Sequence, residues 1–332
     1  MTAWEELLDE FRALGGTADN IRLGQGEYGR GLFPIDPAKP VAIHIPESLL
    51  VAVDDMVMKN GAPGVGPNAK VSERAKTWLD RYQREFAWGG GGADEIRKIF
   101  EMAGQLPEEI RNKLLTQFRC GLWFKEPSDE LIANRFFNAR TIDYGGRATV
   151  MPIVEMANHG SGGGYNLTGG VGLKGMFSGE IVAEYAQYDS YDYFLGWGFT
   201  TQRPLAFSVS LTGKIDSTLM EIDQMFDGTE APPKVWIPKV DRTADKVKLP
   251  FLLIGHRNFP RVPKGIFYKT MRGAGFKGVE EAFDLIHHVN RLHFINLLIE
   301  LDGIDLPMAR TLRAMAHYQL RAMSFCYGVR AV

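Results

Sequence analysis

Apolar residues near the start of the chain follow helical spacing. Trp4, Leu7, Leu8, Phe11 and Leu14 recur at three- and four-residue intervals, and Gly15-Gly16 stops them. From Ile21 the texture changes to short apolar runs broken by Gly and Pro (IRLG, GLFPI, PVAIHIP, SLLVAV), which predict short strands and turns. A Gly/Pro loop at 60–68 separates them from a helical block. In that block Ala75, Trp78, Leu79, Tyr82 and Phe86 line one helix, WGGGG at 88–92 breaks it, and Ile96, Ile99, Phe100 and Ala103 mark the next. Pro107 opens a third, carrying Ile110, Leu114 and Phe118, and Ser128 reads as the N-cap of a fourth.

After Arg140 the strand texture returns. RATVMPIVEMANH reads as a strand running directly into Asn158-His159, and GGVGLKGMF, GEIVAEYAQY and LAFSVSL read as further strands, the third reaching Tyr185. The last ~50 residues are helical again: one helix from about Val279 to Leu301, closed by Gly303, and another from Pro307. Helices come in blocks and do not alternate with strands, so the expected class is α+β and not a doubly wound parallel sheet. The expected organisation is an N-terminal helix (1–20), a first β part (21–58), a helical insert (59–140), a second β part (141–212) and a mainly helical C-terminal domain (213–332).

Composition narrows the partners. The formal net charge is −2, with 45% hydrophobic and 23% charged residues, so bulk charge gives no argument for nucleic acid or an anionic membrane. Two distant cysteines, Cys120 and Cys326, exclude a disulfide framework or a cysteine-rich zinc site, and a reduced, cytoplasmic setting is expected. The opening MTAWEELLDEF is acidic and lacks the features of a signal peptide. No apolar stretch approaches the ~18 residues of a membrane span.

Three segments could carry chemistry. Gly29-Arg30-Gly31 permits a tight turn and close approach of a ligand to backbone, though taken alone it reads first as an ordinary turn between strands. In PIVEMANHG, 152–160, Asn158 and His159 offer donors and acceptors suited to the edge of an adenine ring, or simply end a strand. The third, 179–199, opens on a Gly-Glu turn, passes Tyr185, Tyr188, Tyr191 and Tyr193, and ends in Gly196-Trp197-Gly198-Phe199.

In this order the three segments resemble the SET domain: an early GxG turn, a late Asn-His pair, then a Gly-Glu strand ending in Tyr and an aromatic-Gly-Phe motif. The helical block between the first two is similar to the insert of the Rubisco large-subunit methyltransferase branch. Pro152-Ile153-Val154-Glu155 matches that branch's pattern before the pair, and Arg140 stands eighteen positions ahead of Asn158. The resemblance covers Ile21 to Phe199 by motif and the tail by texture alone.

The resemblance implies a SET-type β fold and S-adenosylmethionine as cofactor. Backbone around Tyr28, Gly29 and Arg30 would hold the cofactor's amino-acid part, and Arg140 would pair with its carboxylate. Asn158 would bind the cofactor, His159 would contact adenine through its backbone, and Glu155 would stand near the same pocket. Tyr185 would line the methyl-transfer channel, with Phe199 packed beneath it. The implied activity is protein methyl transfer, lysine being the default acceptor, with a protein substrate docked on the C-terminal helical domain. One position departs from the pattern: Trp197 stands where the motif begins with Tyr, and indole cannot accept as a phenol oxygen does. Tyr185 or Tyr188 then supplies the hydroxyl, or the channel suits another acceptor such as histidine, or the chain is a binding or scaffold protein without catalysis.

Other motifs are set aside. His287, His288 and His293 have spacings unlike the i, i+4 pair of a zinc helix, so no metal is expected. GSGGGYNLTGGVG lacks the Lys-Ser/Thr of a phosphate loop and reads as a mobile connection. HRNFPRVPK, 256–264, reads as a solvated loop near a substrate cleft, ahead of nucleic-acid contact.

Overall fold

The computed structural model describes residues 1–161, 163–215, 218–224, 236–276 and 278–324; Cys326 lies outside them. Helices α1 (Ala3–Ala13), α2 (Glu73–Glu85), α3 (Ala93–Gly104), α4 (Glu108–Thr116), α5 (Asp129–Asn138), α6 (Ser190–Trp197), α7 (Val262–Gly273), α8 (Val279–Glu300) and α9 (Pro307–Ser324) come in runs, α2–α5 and α7–α9, between blocks of short strands. The class is α+β, as the residue pattern predicts. The chain forms two compact units, each drawn from two stretches: Met1–Lys98 with Pro127–Ala186, and Ile99–Glu126 with Gln187–Val332. Among the described residues no helix is long and apolar enough to cross a membrane.

In the first unit, α1 opens with a capping box. The Glu5 amide donates to Thr2 Oγ1 at 3.2 Å, and the Thr2 amide donates to Glu5 Oε2 at 2.7 Å. Its buried face is Trp4, Leu7, Leu8 and Phe11. Phe11 stacks on Trp78 of α2 with centroids 5.2 Å apart, and Trp78 stacks on Tyr82 at 5.7 Å. The strand Val41–Pro46 buries Val41, Ile43 and Ile45 on one face, the period-two pattern of a half-buried strand. It lies between Thr17–Asp19 and Gly170–Gly175, both antiparallel, so residues far apart in sequence close one sheet. Ile21–Gly26 pairs with Gly29–Pro34 as a hairpin, and Leu32 bridges to Ile181.

Two strand expectations fail here. The run 147–159 is not one strand: Arg147–Val150 ends at Met151, a 3-10 turn occupies Val154–Met156, and only Asn158–His159 resumes extended pairing. Residues 151–154 are all buried, so burial rather than alternation made the run apolar, and Ile153 takes φ = 70°. The strand expected to reach Tyr185 is only Val182–Ala183, paired in parallel with Asn158–His159. At the edges of the glycine-rich connection the Glu184 amide donates to Gly163 O at 3.0 Å, and Asn166 and Gly172 exchange backbone hydrogen bonds.

The second unit joins α4 and α6–α9 to two small sheets. Leu205–Phe207 pairs with Leu253–His256, and a four-stranded sheet has the order Leu211–Ile215, Thr218–Ile222, Lys246–Leu249, Asp241–Arg242. Buried Asn290 of α8 has a partner for its oxygen and both its amide hydrogens: its Oδ1 accepts from the Val209 amide at 2.8 Å, and its Nδ2 donates to Ser208 Oγ and Ile286 O. The Tyr-rich stretch is helix α6. Asp189 caps it, accepting from the Tyr191 and Asp192 amides at 2.9 and 2.8 Å, and Gly198 closes it at φ = 75°.

Candidate functional site

The 21–34 hairpin turns through Glu27-Tyr28, with Gly26 opposite Gly29 and Gly24 opposite Gly31. Gly31 lets two side chains come close to the hairpin backbone. A methyl there would fall 2.3 Å from Glu180 Oε1 and 2.9 Å from Asn158 Nδ2. Asn158 donates from Nδ2 to Arg30 O at 3.2 Å and to Glu180 Oε1 at 2.5 Å. The early glycine turn, the late Asn-His pair and the Gly-Glu turn therefore meet at one place in the first unit. Tyr28, at the tip of the hairpin, is exposed.

Arg30 points its guanidinium to the turn that follows α2. Its Nη1 donates to Phe86 O and, at 2.6 Å, to Gly90 O. Beneath this lies a carboxyl that the motif pattern singled out. Glu155 Oε1 accepts from the Tyr82 hydroxyl at 2.7 Å, and that hydroxyl accepts from the Ile153 amide at 2.9 Å. Glu155 Oε2 is buried without a hydrogen-bond partner. Burial raises the Glu155 carboxyl above the usual range, opposed by the charge of Arg140, the Tyr82 hydroxyl and Arg30. Burial, then the Glu155 charge, lifts the Tyr82 phenol well above its ordinary value.

Arg140 lies over the Phe136 ring, 4.5 Å from its centroid, and its Nη2 donates to Glu95 Oε2 at 2.9 Å. Tyr185 donates its hydroxyl hydrogen to Ala157 O at 2.9 Å and meets the His159 ring edge-on at 5.3 Å.

Trp197 and Phe199 belong to the second unit. They pack with Tyr193, whose ring centroid is 5.2 Å from Trp197 and 5.7 Å from Phe199, and Tyr188 lies 5.7 Å from Trp197. At the start of the same helix, Asp189 also accepts from the Phe207 amide at 2.7 Å, and Asp192 accepts from Gln224 at 3.0 Å. Burial raises both carboxyls, Asp192 the more, with the Asp189 charge adding to it.

The expected site residues missed Tyr82, Glu95 and Glu180. Tyr82 was legible only as a member of an apolar stripe. Glu95, in the first turn of α3, looks like any acid favoured at a helix start. Glu180 was visible as half of the Gly-Glu turn, without a role.

No family model matches the sequence, and no curated protein matches it. Solved structures resemble the fold, among them these two. One is described as Rubisco LSMT bound to AdoMet, 12% identical, at TM-score 0.45, covering 98% of this chain and 90% of that one. The other is the SET domain of LSMT bound to lysine and AdoHcy, 10% identical, at TM-score 0.38, covering 97% and 88%.

Proposed function

We propose that the chain is a SET-type protein methyltransferase using S-adenosylmethionine, with lysine as its acceptor. The observation that carries this reading is the contact from Asn158 to the carbonyl of Arg30 beside Gly31. It joins the motif segments at one point, where the reading needs them.

The residues fit such a cofactor chemically. Arg140 supplies a cation for a carboxylate. Glu180 beside Asn158 supplies an acceptor for an ammonium, and the His159–Tyr185 ring pair supplies apolar surface with polar edges. When bound, the cofactor supplies an electrophilic methyl on a sulfonium.

The rest of the chemistry falls to the protein. A lysine acceptor must lose its proton, which at pH 7 costs about 4.6 kcal/mol from a pKa near 10.4. A water-poor channel lowers that cost by disfavouring the ammonium. The hydroxyl hydrogen of Tyr185 is committed to Ala157 O, so its oxygen meets any further neighbour as an acceptor. That suits it to orient an amine or a polarised methyl.

The departure at Trp197 favours a second reading, a binding protein of the same fold without methyl transfer. Labelled S-adenosylmethionine incubated with the protein and a cell lysate separates the two. The enzyme reading expects protein-bound label that falls about a hundredfold in Tyr185→Phe. It also expects cofactor affinity to fall about tenfold or more in Asn158→Ala. Cofactor binding with no label transferred selects the binding protein, and label on histidine identifies the alternative acceptor.

A further inference from the structure

Arg140 is held from two sides. Its guanidinium rests on the face of Phe136, its side chain is only 15% exposed, and its Nη2 donates to Glu95 Oε2 at 2.9 Å. The acid partner is differently placed. The Glu95 side chain is 45% exposed and sits in the first turn of α3, just after the Trp88–Gly92 turn. A carboxylate there is stabilised by the helix N-terminus even without a cation. Glu95 can therefore swing into solvent at small cost, while Arg140 stays fixed on its ring.

A second carboxyl, Glu155, also feels the Arg140 charge, and it feels that of Glu95 as well. Arg30, the other nearby cation, is engaged by Phe86 O and Gly90 O. A carboxylate arriving at Arg140 thus meets one cation already shared with acids.

We propose that Glu95 is an internal carboxylate that occupies Arg140 and is displaced by the carboxylate of an incoming ligand, so that Glu95 sets the affinity of the site for the amino-acid part of the cofactor. This rests on the cofactor reading above. It makes Glu95 a competitor and not a support: removing its charge tightens binding. An exposed ion pair is worth roughly 0.2–1 kcal/mol, so the gain is about 1.4- to 5-fold.

The test is calorimetry on the full chain with two probes. S-adenosylhomocysteine carries the carboxylate; 5′-methylthioadenosine has the nucleoside and lacks it. Glu95→Gln is expected to tighten the first by that factor and leave the second unchanged. In an Arg140→Met background the same substitution is expected to do nothing. Weaker or unchanged S-adenosylhomocysteine binding in Glu95→Gln overturns the proposal. So does an equal change for both probes, or an effect that persists without Arg140. Should Glu95→Gln fail to fold, Glu95→Ala answers the same question. If the unaltered protein binds neither probe, the cofactor reading itself is lost, a result distinct from a Glu95 substitution without effect.

Discussion

Tyr82 has one hydroxyl and uses it in both directions, accepting from the Ile153 amide and donating to Glu155. The first bond holds a β-branched residue at φ = 70°, a conformation that is costly unless neighbours enforce it. Tyr82→Phe keeps the ring stack on Trp78 and deletes both bonds. We expect a loss of about 1–3 kcal/mol in urea or guanidinium unfolding, since a buried amide and a carboxyl oxygen lose their partner together. The substitution also removes a bond that favours ionised Glu155, so its carboxyl moves further upward; an NMR titration reads that shift. The hydrophobic pattern gave no hint of this, because periodicity counts tyrosine as bulk. Glu155 was legible only through the motif around it, and neither residue's sequence neighbourhood names the other.

At the scale of elements, the WGGGG stretch ends α2 where the pattern predicts, and close packing explains the first of its glycines. A methyl at Gly89 would fall 1.8 Å from Arg84 O, a backbone atom that a rotamer change cannot move aside. Gly89→Ala therefore has to open the turn between α2 and α3. We expect about 1–3 kcal/mol of destabilisation, read as a lower melting temperature. Gly104→Ala, where an added methyl meets nothing within 4 Å, serves as the control. Helix α6 is the opposite case. Its start and stop signals, Asp189 as N-cap and Gly198 after the last turn, are present in the sequence. The tyrosines between them carry no clear helical stripe, and the residue pattern assigns that stretch no element. The break at Pro152 was missed for another reason: a fully buried run looks alike as strand or turn, and only the partner of the Ile153 amide decides.

Across the molecule, buried titratable groups set how stability responds to pH. His287 and His293 are both pushed down to about 4, in each case chiefly by burial. His287 contacts Met323 O through Nε2 at 3.3 Å, and the His293 ring meets Phe118 and Phe294 at 5.4 and 5.0 Å. A folded pKa below the unfolded value near 6.5 means that the unfolded chain binds the extra proton. The stability these histidines contribute is thus present above 6.5 and lost as pH falls toward 4. Each adds at most about 1.4 kcal/mol per pH unit to the slope in that window. The raised carboxyls of Glu155, Asp189 and Asp192 act with the reverse sign, favouring the fold while protonated and losing that contribution as pH rises through their folded values. Unfolding free energies measured between pH 6.5 and 4 are expected to fall less steeply in His293→Leu than in the unaltered protein. An unchanged slope contradicts the burial argument. None of this was visible in the sequence, where three histidines on one helix raised only the question of a metal.

Because each unit is assembled from two stretches, synthesis on the ribosome delivers their parts out of order. Trp123, whose indole donates to Phe194 O, and Phe118, which packs on His293, emerge well before the helices that cover them. Until α6 and α8 follow, these large rings lack part of their native cover, a nascent state suited to chaperone capture. A fragment cut at residue 186 would keep the whole first unit yet carry 99–126 stripped of its partners, and we would expect it to precipitate.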